Sequence, residues 1–206
     1  MALFVTFEGG EGCGKSTQTR ALYKRVLESG IPVVLSHEPG GTSLGKKARR
    51  YLKQTRDSEI SPLAELFLFA ASRAQLVAEV IRPSLGRGTM VICDRYTDST
   101  VAYQGYGRGL DLDAIQAVNT IVTQGLLPDL VILLDLPVEI GLARKRSASQ
   151  DRFEREEAAF HHRVREGYLK MAAADPQRWL VVDATLPRKK VERVVWERVK
   201  RLLQEE

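Results

Sequence analysis

Cysteine is scarce in this sequence, and long apolar runs are missing. Only Cys13 and Cys93 occur among the 206 residues, and their spacing fits neither a disulfide framework nor a zinc site. The first apolar run, 3–7, is short and no basic segment precedes it, so we expect neither a signal peptide nor a membrane span. We therefore expect a cytoplasmic protein that has no membrane partner.

Low-complexity segments, internal repeats and linker-like stretches are also missing. The hydrophobic content of 44% and the charged content of 28% are those of an ordinary globular protein. At this length, residues 1–206 are predicted to form a single domain. The net charge of +5 suits a phosphorylated partner, but charge alone does not distinguish a nucleotide from a nucleic acid or an anionic lipid.

A glycine-rich stretch follows the first apolar run and matches the P-loop pattern between a strand and a helix. Its residues are Gly9, Gly10, Glu11, Gly12, Cys13, Gly14, Lys15, Ser16 and Thr17. The backbone amides of such a loop face one anion, Lys15 adds a point charge, and the Ser16 hydroxyl can bind Mg²⁺. The pattern predicts a binding site for phosphate groups. For Cys13 two interpretations stand, a reactive thiolate or a small residue that fills space in the loop.

Five apolar runs alternate with helix-like segments along the chain. The runs are 3–7, 32–35, 89–93, 130–134 and 179–182. The helix-like segments are 15–29, 43–55, 61–83, 111–124, 137–147, 154–174 and 188–204. This alternation predicts an α/β fold with a parallel sheet, whose ligands bind beyond the carboxyl ends of the strands.

Charged residues stand at those strand ends. Asp94 directly follows the third run, where P-loop proteins place a carboxylate that holds Mg²⁺. The alternative is that Asp94 only orients Arg95. Arg95 can bind phosphate oxygens with two donors, although a simple ion pair with Asp94 is possible as well.

Phe69 and Arg73 are four residues apart and share one face of a predicted helix. A flat ring beside a guanidinium is a suitable binding site for a nucleobase. Phe69 would stack on the base, and Arg73 would donate a hydrogen bond to one of its carbonyl groups. A core phenylalanine and an arginine paired with another element are the alternative interpretation.

Basic residues cluster in two further places. Arg144, Lys145, Arg146 and Arg152 lie within a segment, approximately 142–154, that is predicted to close as a lid over a transferred phosphoryl group. The alternative is a solvated helix end with pairs such as Arg152 and Glu156. Arg49 lies in a basic stretch, 46–50, that on these residues alone favours a solvated helix face.

Several motifs together resemble those of the thymidylate kinase family over nearly the whole length. They are GGEGCGKST at 9–17, HEPGGT at 37–42, FLFAASRAQ at 67–75, DRYTDSTVAYQGYGRG at 94–109, PDLVILLDLP at 128–137 and VDAT at 182–185. The resemblance implies the P-loop nucleoside monophosphate kinase fold, a five-stranded parallel sheet flanked by helices, and a homodimer. It also implies the phosphorylation of dTMP to dTDP with ATP and Mg²⁺, in the synthesis of dTTP.

The same resemblance implies roles for the acceptor-site residues. Glu11 would approach the 3′-hydroxyl of the acceptor sugar, and Arg49 and Arg95 would bind its phosphate. Phe69 would stack on thymine, Arg73 would bind a carbonyl of the base, Thr100 and Gln104 would lie near the base, and Tyr103 would lie against the sugar and disfavour a 2′-hydroxyl.

The arginine pattern is similar to that of the bacterial members that carry basic residues in the lid. The P-loop has no arginine, whereas Arg144, Arg146 and Arg152 lie in the predicted lid. His37 departs from the family, which more often has arginine there.

In the resulting mechanism, Lys15, Arg95 and the lid arginines stabilise charge while the acceptor phosphate attacks in line. The rivals are a kinase for another nucleoside or nucleotide and a nucleotide-dependent switch, although the sequence has no guanine-reading NKxD motif. A nucleic-acid partner is not expected, because the basic residues do not form a long groove with interleaved aromatic residues.

Overall fold

The computed structural model describes residues 2–54, 60–145 and 151–204. Within these ranges, five strands form one parallel sheet: β1 (Phe4–Glu8), β2 (Val33–His37), β3 (Met90–Asp94), β4 (Leu130–Asp135) and β5 (Trp179–Asp183). The strand order is β2-β3-β1-β4-β5, so β1 lies at the centre. Strands β2 and β3 lie on one side of β1, and β4 and β5 lie on the other. This change of direction in the strand order opens a crevice at the carboxyl ends of the central strands.

Helices connect the strands of the described ranges. They are α1 (Lys15–Glu28), α2 (Ser43–Gln54), α3 (Pro62–Leu76), α4 (Arg82–Gly86), α5 (Thr97–Thr100), α6 (Leu112–Thr123), α7 (Val138–Arg144), α8 (Ala158–Ala174) and α9 (Arg188–Gln204). Two segments, Val77–Ile81 and Val101–Gly107, form π-helical turns. The first joins α3 to α4, and the second continues α5.

Both faces of the sheet are covered by helices. Successive side chains of a strand point to opposite faces, so Phe4 packs with Leu76 on one side. Val5 packs on the other side with Leu22 of α1 and Val195 of α9. Because the central strands β1, β3 and β4 are almost fully buried, they appear in the sequence as continuous apolar runs and not as an alternating pattern.

The predicted strands are confirmed, with small shifts at their ends. The helix-like segment predicted for 61–83 is helical, and helical structure continues past Pro83 to Gly86. Pro83 lies in the first turn of α4, where its missing N–H costs little. The helix predicted for 137–147 ends earlier, at Arg144.

Helical structure between Thr97 and Gly107 was not predicted. β-branched residues and glycine give this segment a low helix propensity. Its π-helical turns pack against α8, a contact distant in sequence that local propensity does not reveal. In the ranges that the structure describes, no helix combines the length and apolar character needed to cross a membrane.

Candidate functional site

A cavity of about 700 Å³ opens at the carboxyl ends of the central strands. This volume is typical of a ligand pocket. Its walls include the predicted phosphate loop on one side, with Glu11, Gly12, Gly14, Lys15, Ser16 and Thr17. The other walls include predicted acceptor residues, namely Arg49, Phe69, Arg95, Thr100, Tyr103 and Gln104. One cavity therefore contains most of the residues that sequence analysis assigned to two ligands.

The phosphate loop turns sharply between β1 and α1. Gly9, Gly12 and Gly14 have φ values of 136°, 68° and 94°, in the region that side chains with a Cβ rarely adopt. Gly14 directly precedes α1, so the amide groups of the first helical turn face the cavity. This arrangement can bind an anion through backbone N–H groups.

Lys15 folds back over the loop. Its Nζ donates hydrogen bonds to the carbonyl oxygens of Gly9 at 2.8 Å and Gly10 at 2.7 Å. Nζ also lies 3.3 Å from Sγ of Cys13, whose thiol donates to the Gly10 carbonyl at 3.1 Å. Cys13 is buried inside the loop, which agrees with a space-filling residue. The ammonium group of Lys15 is thus held at the mouth of the anion site.

Ser16 and Asp94 meet at the end of the sheet, as the sequence predicted. The Ser16 hydroxyl donates a hydrogen bond to Oδ2 of Asp94 at 2.7 Å. Both side chains line the cavity. Mg²⁺ commonly takes one or two protein oxygens and completes its shell with water and phosphate oxygens, so this pair fits the ion.

Arg95 pairs with Glu11 and not with Asp94. Its Nη2 donates to Oε1 of Glu11 at 2.7 Å and to the hydroxyl of Tyr103 at 3.0 Å. Tyr103 donates in turn to the same Glu11 oxygen at 2.7 Å. Burial raises the pKa of Glu11, but the charges of Arg95 and Lys15 outweigh it and lower that pKa to about 2. Glu11 is therefore a carboxylate at neutral pH.

A buried carboxylate, Glu8 at the end of β1, holds the backbone around Arg95. Its Oε1 accepts from the Tyr96 amide at 2.7 Å. Its Oε2 accepts from Ser99 at 2.6 Å and from the Tyr168 hydroxyl at 2.8 Å. Arg95 has a φ of 74°, a strained value for arginine that these bonds to its neighbours stabilise. Glu8 thereby fixes where the Arg95 guanidinium points.

The acceptor side of the cavity combines an aromatic ring with unpaired polar atoms. Phe69 is half-buried, and its ring centre lies 6.0 Å from that of Phe153. Among the described residues, Thr100 Oγ1 and Glu38 Oε1 are buried without a hydrogen-bond partner, although both side chains line the cavity. Unpaired buried polar atoms are costly, so they mark positions where a polar ligand gains hydrogen bonds.

Arg73 lies behind this wall. It is 1% exposed, and its Nε donates to Oε2 of Glu38 at 2.7 Å. The two Nη groups donate to Asn119 Oδ1 at 2.7 Å and to the Tyr96 carbonyl at 3.0 Å. The guanidinium is thus paired with other elements, which was the alternative interpretation. Its contact with a base stays a prediction.

Arg49 of α2 and His37 at the end of β2 both line the cavity, but they differ in charge. Arg49 of α2 reaches back to donate to the Pro39 carbonyl at 3.0 Å and lines the cavity, so it is not a fully solvated residue. Burial lowers the pKa of His37, and the charge of Arg49 acts in the same direction. A neutral His37 adds no positive charge to this edge of the cavity.

The arginines of the predicted lid are separated. Arg144 of α7 lines the cavity and donates to the Gly12 carbonyl at 3.3 Å. Arg152 instead donates to Glu65 at the start of α3 and to the Leu52 carbonyl at 3.3 Å. Arg146 lies outside the described residues. The structure therefore brings Arg144 to the phosphate loop and Arg152 to the acceptor side.

Sequence reasoning assigned no role to several residues that organise the site. Glu8 and Glu38 were visible as acids at strand ends, a signal that a parallel sheet makes meaningful. Glu65 was visible as an acid between apolar residues of α3. Tyr168 gave no local signal, because it reaches Glu8 across the fold from α8.

The chain is similar to known proteins over almost all of its length. Residues 7–195 match the family model described as Thymidylate kinase. A thymidylate kinase of Dehalococcoides mccartyi (strain ATCC BAA-2266 / KCTC 15142 / 195) is 54% identical over 203 residues, which are 98% of each chain. One from Thermomicrobium roseum is 52% identical over 95% of this chain and 93% of its own. A crystal structure of thymidylate kinase from Ehrlichia chaffeensis superposes with a TM-score of 0.78 at 32% identity, covering 97% of this chain and 98% of that chain.

Proposed function

The chain belongs to the thymidylate kinase family and phosphorylates dTMP with ATP, and we propose that its cleft does so by in-line transfer between two nucleotides. The observation that carries this mechanism is the single cavity that joins the phosphate loop to Phe69 and the unpaired oxygens near it. The donor phosphates would lie on the loop, and the acceptor base would lie against Phe69.

We assign the donor side to the backbone amides of 9–17, to Lys15 and to Arg144. Ser16 and Asp94 would hold Mg²⁺, which neutralises charge on the donor phosphates when bound. Lys15 would turn from the loop carbonyls to the phosphate oxygens, which offer a full negative charge in place of two dipoles. Arg144 would stabilise the charge of the transferred group from the opposite side.

We assign the acceptor side to the elements around α3 and the π-helical segment. Arg95 and Arg49 would bind the acceptor phosphate, for which Arg95 must exchange part of its pairing with Glu11. Glu11 would accept from the 3′-hydroxyl and Tyr103 would lie against the sugar. Phe69 would stack on thymine, with Thr100, Gln104 and Arg73 near its polar edge. An ionised phosphate needs no strong general base, so positioning and charge carry catalysis.

The proposal extends to the organisation of the protein. We propose a single domain, 1–206, in which the segment 142–154 acts as a lid, supported by the contacts of Arg144 and Arg152 at its two described ends. We also propose a homodimer, because Leu63, Phe67 and Ile121 are exposed on two helices that pack together. A cytoplasmic location fits a kinase that uses ATP and keeps Cys13 and Cys93 as free thiols.

The test measures ADP release from ATP and Mg²⁺ with dTMP, dUMP, dCMP, dGMP or dAMP as acceptor and a control without acceptor. We expect strong preference for dTMP. Phe69→Ala should raise KM for dTMP and leave KM for ATP nearly unchanged, because the ring lines only the acceptor side. A preference for another acceptor over dTMP, or unchanged dTMP affinity in the variant, would refute the acceptor site as assigned.

A further inference from the structure

Glu65 is a fully buried carboxylate beside the acceptor site that does not line the cavity itself. Its Oε1 accepts from Nε2 of Gln104 at 2.7 Å. Arg108 donates to both of its oxygens, each at 3.3 Å, and Arg152 donates to Oε2. The two guanidinium groups already balance the charge of this buried carboxylate. The hydrogen bond from the neutral amide of Gln104 is not needed for that balance, and its effect is on the orientation of the amide.

An ionised carboxylate has only acceptors, whereas an amide has a donor end and an acceptor end. Glu65 can therefore bind only the NH₂ end of Gln104. The side chain of Gln104 belongs to the cavity wall, and within the described ranges its Oε1 accepts no hydrogen bond. With the NH₂ end held by Glu65, the carbonyl oxygen is the end left for a ligand.

The orientation of this amide decides which base edge fits. Thymine and uracil carry an N–H donor at position 3 between two carbonyl acceptors, whereas cytosine carries an unprotonated acceptor nitrogen at position 3. A fixed carbonyl oxygen attracts the first edge and repels the second. A site whose buried polar groups match one edge rejects the other strongly, because the mismatch leaves those groups unpaired.

We propose that Glu65 is a specificity-determining positioning residue, which locks the Gln104 amide with its carbonyl oxygen toward the base and so selects bases that have N3–H. This inference rests on the proposed function, because it places the acceptor base beside Gln104. Glu65 does not line the cavity, so its effect on the base passes through Gln104. Arg108 and Arg152 bind the carboxylate and hold it in place.

The experiment compares the wild type with Glu65→Gln, Gln104→Leu and the double variant. A glutamine at position 65 has both donor and acceptor atoms, so it permits the Gln104 amide to turn over. We expect kcat/KM for dTMP and for dUMP to fall by the same factor, about tenfold or more, because both bases have N3–H. The preference for dTMP over dCMP should fall as well, while KM for ATP stays unchanged.

The double variant separates positioning from general damage. If Glu65 acts through Gln104, Glu65→Gln should add nothing to the loss of preference in Gln104→Leu. Equal losses for dTMP and dCMP, or additive effects in the double variant, would overturn the inference. Circular dichroism and thermal unfolding establish that each variant is folded.

Glu65→Asp keeps the inference testable if Glu65→Gln does not fold. Aspartate preserves the negative charge that Arg108 and Arg152 require, but its carboxylate is one methylene farther from Gln104. The dTMP-to-dCMP preference should fall in this variant too, and an unchanged preference in folded protein would refute the role of Glu65. Absence of any dTMP preference in the wild type would instead refute the proposed function, independently of Glu65.

Discussion

At the scale of single residues, the cations of the cleft are held by groups that a ligand can replace. Lys15 is bound by the Gly9 and Gly10 carbonyls, and Arg95 is bound by Glu11. Phosphate oxygens are stronger acceptors for these cations than carbonyl dipoles. The site is therefore preorganised, with its charges close to where phosphate charge is expected to lie.

Lys15→Met should reduce kcat by about 100- to 1000-fold, because methionine fills the volume but provides no charge for the transferred group. Unfolding should remain one cooperative transition. Lys24→Met is the matched control, since Lys24 lies on the same helix with 77% of its side chain exposed. Steady-state kinetics decide the result, and near-normal turnover in Lys15→Met would contradict the donor-side assignment.

The lowered pKa of Glu11 predicts a dependence of stability on pH. Its pKa is about 2 in the folded protein and about 4.5 in the unfolded chain. The unfolded state thus binds the proton more tightly, and the stabilisation is full above pH 4.5 and lost as pH falls towards 2. When the pH falls from 6 to 3, the free energy of unfolding should decrease in both proteins. We expect the decrease in Glu11→Gln to be smaller than that in the wild type by about 2 kcal/mol.

Urea unfolding at the two pH values measures this difference. Glu28→Gln is the control, because Glu28 is an exposed residue of α1 that pairs only with Lys24 among the described residues. The control should follow the wild type. If Glu11→Gln also follows it, the ion pair of Glu11 with Arg95 does not stabilise the fold in the way the geometry indicates.

At the scale of elements, α7 packs directly on the phosphate loop. A Cβ on Gly141 would lie 2.3 Å from the Glu11 carbonyl oxygen, and a Cβ on Gly12 would lie 2.2 Å from the Gly141 carbonyl oxygen. Two backbone segments therefore touch without an intervening side chain. This contact couples the position of the loop to the helix that carries Arg144.

Gly141→Ala should lower the thermal stability and raise KM for ATP several-fold. Alanine favours a helix over glycine by about 1 kcal/mol, so a loss of stability would come from the clash with the loop. Gly86→Ala in α4 is the control, because a Cβ there meets nothing within 4 Å. Differential scanning fluorimetry and ATP titrations give both quantities, and unchanged values for Gly141→Ala would mean that the loop moves freely away from α7.

Elements with a strong local signal could be predicted from the sequence. The central strands β1, β3 and β4 are almost fully buried, so each gave a continuous apolar run, and Gly30 marked the end of α1. The phosphate loop, Ser16 with Asp94, and the cavity position of Phe69 followed from the motif and from strand ends.

Features that depend on distant partners could not be predicted in this way. The helical structure of 97–107 is held by packing against α8. The partners of Arg95 and Arg73 were not identified, because Glu11 and Glu38 reach them from other elements. The position of Arg152 on Glu65 joins residues far apart in the chain, which no spacing rule detects.

At the scale of the whole molecule, large apolar side chains are exposed on two neighbouring helices, α3 and α6. Both faces of the sheet are covered, yet Leu63 and Phe67 of α3 and Ile121 of α6 are 54%, 55% and 74% exposed. Leu63 and Phe67 are four residues apart and share a helix face. Because α3 also carries Phe69 and Glu65, a partner bound to this face would stabilise the helix that forms the acceptor wall.

We expect the wild type to sediment as a dimer of two 23.0 kDa chains and Leu63→Asp to shift it towards monomer. Aspartate is favourable in the first turn of a helix, so the variant should stay folded while a desolvated carboxylate opposes association. Leu27→Asp is the matched control, because Leu27 is 53% exposed on α1, away from the proposed interface. A monomeric wild type, or equal dissociation of both variants in analytical ultracentrifugation, would rule out this face as the dimer interface.

The KM for dTMP of the dissociated Leu63→Asp variant shows whether the dimer affects the acceptor site. If this KM is raised, the dimer supports the acceptor site through α3. If it is unchanged, each chain forms its site alone.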